Sequence, residues 1–418
     1  MPSALRLPPA LYHRDFRRLW LGMLGSSFAT QMIAVAVGWQ VYAIHRSAFD
    51  LGLIGLAEFV PLPLLALPAG QLADRLPRTL LFASATLAEA VVASLLLLVT
   101  LGGARQLWQY IALAAAIGVT GSFGSPAGRS LTPELVPTDL LSGAVALRGI
   151  AGQIANIAGP AVGGLLFLVH PEGVVVYATA VGLFVVSAAC VLRVSRPEVA
   201  EQVGAGTPPP RLDSLLLGIR FIRDTPVILG AITLDLFAVL FGGAVALLPL
   251  FARSVLHTNA FGLGMLRAST AVGALLAALM LAQRPLGGRA GRTLLLVVGT
   301  FGASIVVFGL SHWFLLSAIA LAVSGFADMI SMNIRSTTVA LATPNAVRGR
   351  VNAVENVFIS ASNELGAFES GFAASLLGTV TAVVAGGAAT IGIALAWLRV
   401  FPSLARMGRL EDLRPETV

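Results

Sequence analysis

Acidic side chains stand inside stretches that are otherwise apolar: Glu58, Glu89, Asp235, Asp328, Glu355, Glu364 and Glu369. Glu58 lies about nine residues into its apolar run, roughly 14 Å from the start at ~1.5 Å per helical residue. A carboxyl group that deep is held either by a partner or by a proton, and a group that alternates between those states can load and release protons. Glu58 is the leading candidate for that chemistry, with Asp235, Asp328 and Glu355 behind it; a permanent bond to a neighbouring helix is the structural alternative. The amides Gln31, Gln40, Asn156, Asn333 and Asn363 lie in similar runs, where each would cost a few kcal/mol without a partner. They face protein or water rather than lipid, and are the candidates for lining a cavity and touching a small-molecule substrate.

Other chemistries find little support. An enzyme needs a nucleophile beside a base, or clustered ligands. The histidines, His13, His45, His170, His257 and His312, all fall at the ends of apolar runs or in loops, with no zinc spacing. Cys190 is the single cysteine, so no intrachain disulfide and no cysteine-based metal site is expected. No catalytic residue, metal or cofactor is assigned.

The elements that must position these residues are membrane helices. Of 418 residues, 57% are hydrophobic and 11% charged, with a mean hydropathy of +0.88, too little polar surface to cover a soluble globule. Runs of a length to cross ~30 Å of hydrocarbon recur at 19–44, 49–73, 79–101, 107–128, 140–169, 172–192, 226–252, 260–283, 292–310, 313–335, 350–376 and 378–400. The expectation is an all-α membrane protein of twelve transmembrane helices in two six-helix bundles. The bundles span 1–192 and 226–400, joined by a linker over 193–225 and followed by a solvated tail over 401–418. A sensor would carry a soluble output domain, and no segment between the runs is long enough for one.

All 27 basic residues are arginines, and their placement orients the chain. With the N-terminus inside, only Arg46, Arg105 and Arg253 fall outside, while Arg148, Arg267 and Arg335 lie within spans; the rest collect on the cytoplasmic side. The positive-inside rule then puts both termini in the cytoplasm. The pI near 10.8 follows from this bias, so nucleic acid is not an expected partner, whereas anionic lipid headgroups are. The N-terminal segment has a basic start, but its apolar run is too long for a signal peptide and no small-residue cleavage pattern follows.

Internal repetition supports the two bundles. Ser47-Ala48-Phe49-Asp50-Leu51-Gly52 recurs about 212 residues later as Asn259-Ala260-Phe261-Gly262-Leu263-Gly264, and Arg129-Ser130-Leu131-Thr132 aligns with Arg335-Ser336-Thr337-Thr338 at an offset of 206. Two copies of one membrane unit follow. Pro61, Pro63 and Pro68 come directly after Glu58, so the second helix is expected to bend or unwind beside the acid. Gly159-Pro160-Ala161-Val162-Gly163-Gly164 combines small residues with a bend, suiting a helix that closes one mouth of a cavity. Residues 211–223 read as an amphipathic helix on the inner leaflet, with Leu212, Leu215, Leu216, Ile219 and Ile222 on one side. Glu355, Ser362 and Glu369 recur every seven residues and share a face. Glu364 lies half a turn from Glu355, so it either faces a neighbouring helix or marks an irregularity near Gly366.

Gly70-Gln71-Leu72-Ala73-Asp74-Arg75-Leu76-Pro77-Arg78 resembles the signature loop of the major facilitator superfamily, G-x-L-A-D-R-x-G-R-R, with Pro77 in place of the second glycine. The resemblance implies that Gly70, Asp74, Arg75 and Arg78 form a gating loop that latches the cytoplasmic side against the opposite half. Gly159, Pro160, Gly163 and Gly164 resemble the antiporter motif of exporters in that superfamily. Trp39-Gln40-Val41-Tyr42, Ser125-Pro126-Ala127 with Arg129, and Pro133-Glu134-Leu135-Val136-Pro137 are similar to the branch that includes the enterobactin exporter. Fold and branch together imply a secondary transporter working by alternating access, exporting a small amphipathic molecule such as a siderophore or drug in exchange for protons. The bacterial inner membrane is the expected location, and one chain holds both halves of a transport unit, so a monomer suffices. The alternative on the same scaffold is an uptake permease or a lipid flippase.

Overall fold

In the computed structural model, residues 8–103, 106–170, 172–195, 212–284 and 288–413 are described, and among them helices dominate. A backbone in hydrocarbon must satisfy its own hydrogen bonds, and a helix does so within one segment. The long helices are α1 (Arg14–His45), α2 (Ala48–Phe59), α3 (Pro61–Arg75), α4 (Arg78–Leu101), α5 (Leu107–Leu131), α6 (Leu141–Val169) and α7 (Val174–Leu192). After the linker come α8 (Leu212–Asp224), α9 (Pro226–Gly242), α10 (Ala260–Gln283), α11 (Ala290–Leu310), α12 (Phe314–Ala342), α13 (Asn345–Leu377) and α14 (Thr379–Val400). Each expected span falls on one helix or on a broken pair.

Eleven of these segments are long and apolar enough to cross a membrane. The twelfth expected span lies in α13, whose 33 residues exceed the length needed, but which carries Glu355, Glu364 and Glu369. Its charges, not its length, set it apart.

The chain forms two compact units, residues 1–44 with 60–209 and residues 45–59 with 210–418. The boundary at Val60 is a break in the second span: α2 ends at Phe59 and α3 starts at Pro61. Pro61 has no N–H to continue the ladder, so the hydrogen bonding is interrupted two residues after Glu58 while Val60 keeps helical angles, φ −51° and ψ −41°. A second expected span, 226–252, is also interrupted. There α9 stops at Gly242, and the chain continues through a short 3₁₀ turn at Ala244–Leu247 and a π turn at Phe251–Val255.

The sequence repeat has a structural meaning at its first residue. Ser47 accepts a hydrogen bond from the Asp50 amide at 3.2 Å, and Asn259 accepts one from the Gly262 amide at 3.0 Å. Both side chains cap a helix, α2 and α10, by satisfying an otherwise orphaned donor. The repeat thus preserves a helix start.

In the first unit, Leu19, Leu81, Phe82, Ala127, Leu131 and Val191 bring α1, α4, α5 and α7 into one cluster. Lipid is as apolar as leucine, so apolar contact adds little, and close packing by small residues must hold membrane helices together. A Cβ on Gly163 of α6 would lie 3.1 Å from the Met32 Cα of α1, and one on Gly159 would meet the Gln31 Cβ at 2.7 Å. The motif Gly159, Pro160, Gly163 and Gly164 is buried, and its first and third members seat α6 on α1.

In the second unit, Ala231, Leu234, Leu294, Val298, Ile330 and Ile334 form one cluster, joining α9, α11 and α12. The third helix of each half packs on the sixth, α4 on α7 and α11 on α14, so the two copies share a packing scheme. Gly302 and Gly387 meet there: a Cβ on either would come within 2.7 Å of the other's carbonyl oxygen. The helix α8 differs from its expected face. Ile222 is buried in a cluster with Ile228, Val339 and Val351 and Gly218 approaches the Arg350 carbonyl of α13, whereas Ile219 is exposed. The protein-facing stripe therefore runs through Gly218 and Ile222. Residues 196–211 and the side chains of Leu212, Leu215 and Leu216 lie outside what is described.

Gly302→Val should destabilise the protein by about 1–3 kcal/mol through overpacking between α11 and α14, read as an earlier thermal unfolding in detergent. Gly299→Val, where a Cβ meets nothing within 4 Å, should stay within about 0.5 kcal/mol of wild type. Equal effects from the two would remove the glycine contact as the packing determinant.

Candidate functional site

Two groups of charges stand out in the second unit: in one an arginine serves two acids, and in the other an acid stands between an arginine and a second acid. In the first group, Arg335 of α12 forms an ion pair with Asp235 of α9, both residues being buried, and also interacts electrostatically with Glu355 of α13. In the second, Arg267 of α10 interacts with Glu58 of α2, and Glu58 with Glu364 of α13. Among the described residues, the Nε atoms of Arg267 and Arg335 are buried without a hydrogen-bond partner; Arg335 meets Asp235 through a terminal nitrogen, and Arg267 acts on Glu58 through its charge.

Close backbone packing creates the second group. A Cβ on Gly52 would lie 3.0 Å from the Phe368 carbonyl oxygen; one on Gly55 would lie 3.0 Å from the Ala367 Cβ and 3.6 Å from Glu364 Oε2. From the other side, a Cβ on Gly371 would be 2.8 Å from the Gly52 Cα. Phe49 packs on Phe368 with ring centroids 6.0 Å apart. Glycines on both helices thus bring α2 down onto α13 and carry Glu58 toward Glu364. The helix α13 is continuous over Asn345–Leu377, so Glu364 faces a neighbouring helix and marks no irregularity.

Asp328 is exposed on α12, as is Asn333. Asn363 is exposed on α13 and donates to the Ile359 carbonyl of its own helix at 2.9 Å. Ser362 is fully buried, so of the seven-residue stripe only Glu355 and Glu369 keep partial exposure.

In the first unit, Gln31 of α1 donates through Nε2 to the Asn156 Oδ1 of α6. This pair sits at the surface of the unit, where both amides keep further capacity for hydrogen bonding. Gln40 is different. Its Oε1 accepts from the Tyr177 hydroxyl at 2.6 Å, and its Nε2 donates to the Glu172 carbonyl at 2.5 Å and the Thr100 hydroxyl at 3.3 Å. These bonds use both N–H donors and one lone pair of the amide within the unit, so Gln40 ties α1 to α4 and α7; one sequence offers no way to see those partners.

The loop that resembles the superfamily signature is short. Leu76 is extended and Pro77 precedes the first residue of α4. Arg78 pairs with Glu134, which follows α5, so it serves its own unit. A Cβ on Gly70 would meet nothing within 4 Å, Arg75 is exposed, and the side chain of Asp74 lies outside the described residues.

Arg267 and Glu364 were not assigned a role from sequence, although a signal existed. The matched caps Ser47 and Asn259 put Glu58 in register with Thr270, so Arg267 lies within one helical turn of the same depth, about 5 Å. Acid and base at one depth in two copies of a unit are natural partners.

Removing one member of a buried pair costs about 3–5 kcal/mol, because the other is left charged and alone. Arg335→Leu should therefore lose most of its monodisperse protein on solubilisation. Arg335→Leu combined with Asp235→Leu should recover a large part of it. Additive losses would show that the two residues are not energetically coupled.

Residues 7–413 match the family described as transmembrane secretion effector. The enterobactin exporter EntS of Citrobacter koseri is 28% identical over 408 residues, covering 92% of this chain and 91% of that protein. A bacterial homolog of the human lysosomal transporter Spinster, in an inward-facing and occupied conformation, is similar with a TM-score of 0.72 at 14% identity, covering 99% of this chain and 100% of that one. A variant of the nucleoside transporter NupG gives 0.74 at 13% identity, covering 93% and 100%. At such identities the structures speak for the fold alone. The all-α architecture, the repeated helix pairing and the match over residues 7–413 place this multi-pass membrane chain in the transmembrane secretion effector family, as a major facilitator transporter of the enterobactin-exporter-like branch.

Proposed function

We propose that the protein is a proton-coupled exporter, an antiporter that moves a small amphipathic molecule such as a siderophore or drug out of the cytoplasm. The observation that carries this reading is the similarity to enterobactin exporters over nine-tenths of both chains; the seating of Gly159 and Gly163 against α1 is consistent with the antiporter-like motif. Export works by alternating access of a site between two repeat-built halves. Glu58 is the leading proton carrier. Asp235, Asp328 and Glu355 follow it, although the ion pair with Arg335 makes Asp235 better suited to holding helices together. Gln31, Asn156, Asn333 and Asn363 are the substrate contacts, since their side chains are partly or fully exposed on their own units.

Coupling follows from charge. Protonation removes the cost of carrying a carboxylate through a closed, low-dielectric state, and bound substrate favours the other protonation state. The arginine distribution supports a bacterial cytoplasmic membrane location with both termini inside. Gly70, Asp74, Arg75 and Arg78 act as the gating loop, and a monomer suffices.

In acid-loaded everted vesicles, a pH-sensitive dye should report proton efflux when the right compound from a panel of siderophores, dyes and antibiotics is added. Glu58→Gln should abolish that signal. A signal that survives the substitution would return Glu58 to a structural role, and silence toward the whole panel, with labelled lipid moving instead, would replace the exporter with a flippase.

A further inference from the structure

The Glu58 group has an unusual charge count. Two carboxylates stand on α2 and α13 where glycines leave no room between the helices, and one guanidinium, Arg267 of α10, acts on the first of them through its charge. The elements packed against α2 are α13 and the turn at Ala244–Leu247, and that turn carries no charge. Besides Glu364, α13 carries Glu355, which interacts with Arg335, and Glu369, five residues further along. On α2 itself Asp50 is paired with His45 at 3.1 Å. The charges that act on Glu58 are therefore Glu364 of the packed helix α13 and Arg267, which reaches it electrostatically from α10.

If both carboxylates are ionised, the group carries one net negative charge that nothing nearby compensates, which is costly away from water. With one proton on either acid the group is neutral: one carboxylate pairs with Arg267, and the protonated acid donates or accepts a hydrogen bond beside it. Two protons leave the guanidinium without a counter-charge. A single proton is the neutral state, and like charges that close titrate as a pair.

We infer that Glu58 and Glu364 form one proton-binding site across α2 and α13, holding a single shared proton in the presence of Arg267. This deepens the proton-coupled reading, on which it rests, by naming a second carboxylate that sequence did not assign and by giving Arg267 the role of setting the proton count. It also links proton loading to the seating of α2 on α13. The neutral group fits the glycine-packed contact, while loss of the proton leaves a charge that favours separation and hydration. A site with two full acids and no cation could take a metal cation; Arg267 already supplies the positive charge, so a proton suffices.

The site predicts a counterintuitive result. Removing either acid leaves one carboxylate and one arginine, already neutral, so the shared proton is lost from both positions. Infrared difference spectra of the purified, lipid-reconstituted protein would follow the carbonyl stretch of protonated carboxyl groups as pH is changed, without any substrate. Wild type minus Glu58→Gln and wild type minus Glu364→Gln should show the same lost band with the same pH dependence. Glu369→Gln should retain it, and Arg267→Gln should increase the protonated-carboxyl signal by one further group. Glu58→Asp, which keeps the charge, should preserve the band and guards against a folding defect in the glutamine variant. If Glu364→Gln keeps the wild-type band, the shared site is overturned even where export is proton-coupled. If sodium in place of choline at fixed pH removes the band, the site takes a metal cation and the proton assignment falls. Because no transport is measured, failure of the exporter reading leaves this result intact, and the reverse.

Discussion

A charge removed from water must be neutralised by another charge, and in the second unit that constraint is met by Arg335, which serves two acids, and by Arg267, which serves Glu58. Arg335 connects α9, α12 and α13 through Asp235 and Glu355, while Arg267 of α10 acts on Glu58 of α2, and Glu58 in turn on Glu364 of α13. The helix common to both is α13. On it Glu355 is met by Arg335, and an acid in such a segment needs a partner or a proton to settle among apolar helices.

Small residues decide which helices can come near enough for such pairing. The glycines of α2 and α13 bring Glu58 toward Glu364, and Gly159 and Gly163 bring α6 onto α1 beside the Gln31–Asn156 hydrogen bond. In lipid, where burial of apolar surface drives little, backbone approach is the main source of contact energy. Polar side chains are then placed by the same glycines that hold the helices. Position and stability share one cause.

The two charge groups differ in a way that separates holding from moving. Asp235 and Arg335 are both buried and directly paired, an arrangement costly to open. Glu58 and Glu364 keep partial exposure, and Glu58 stands two residues before the break at Val60, where the chain passes from one compact unit to the other. Under the proposed exporter reading, the first group serves as a fixed tie and the second as the place where a proton changes the balance. Asp328 is exposed on α12 and lacks an ion pair among the described residues.

Composition and repetition were sufficient to establish the all-α membrane architecture, the helix positions and the break after Glu58, because hydrocarbon imposes span length and proline removes a backbone donor wherever they occur. The repeat at Ser47 and Asn259 was legible for the same local reason, since an N-cap acts within three residues of itself. Partnership was not legible. Gln40 and Gln31 look alike in sequence, yet one is held by Tyr177, Thr100 and Glu172 while the other meets a single amide at the surface of its unit. Glu364, half a turn from the polar stripe, became Glu58's neighbour only through glycine contacts between helices some 300 residues apart in the chain. Local chemistry is written in neighbouring residues, whereas the partner of a buried charge depends on which helix faces pack together, and that is decided by the tertiary fold.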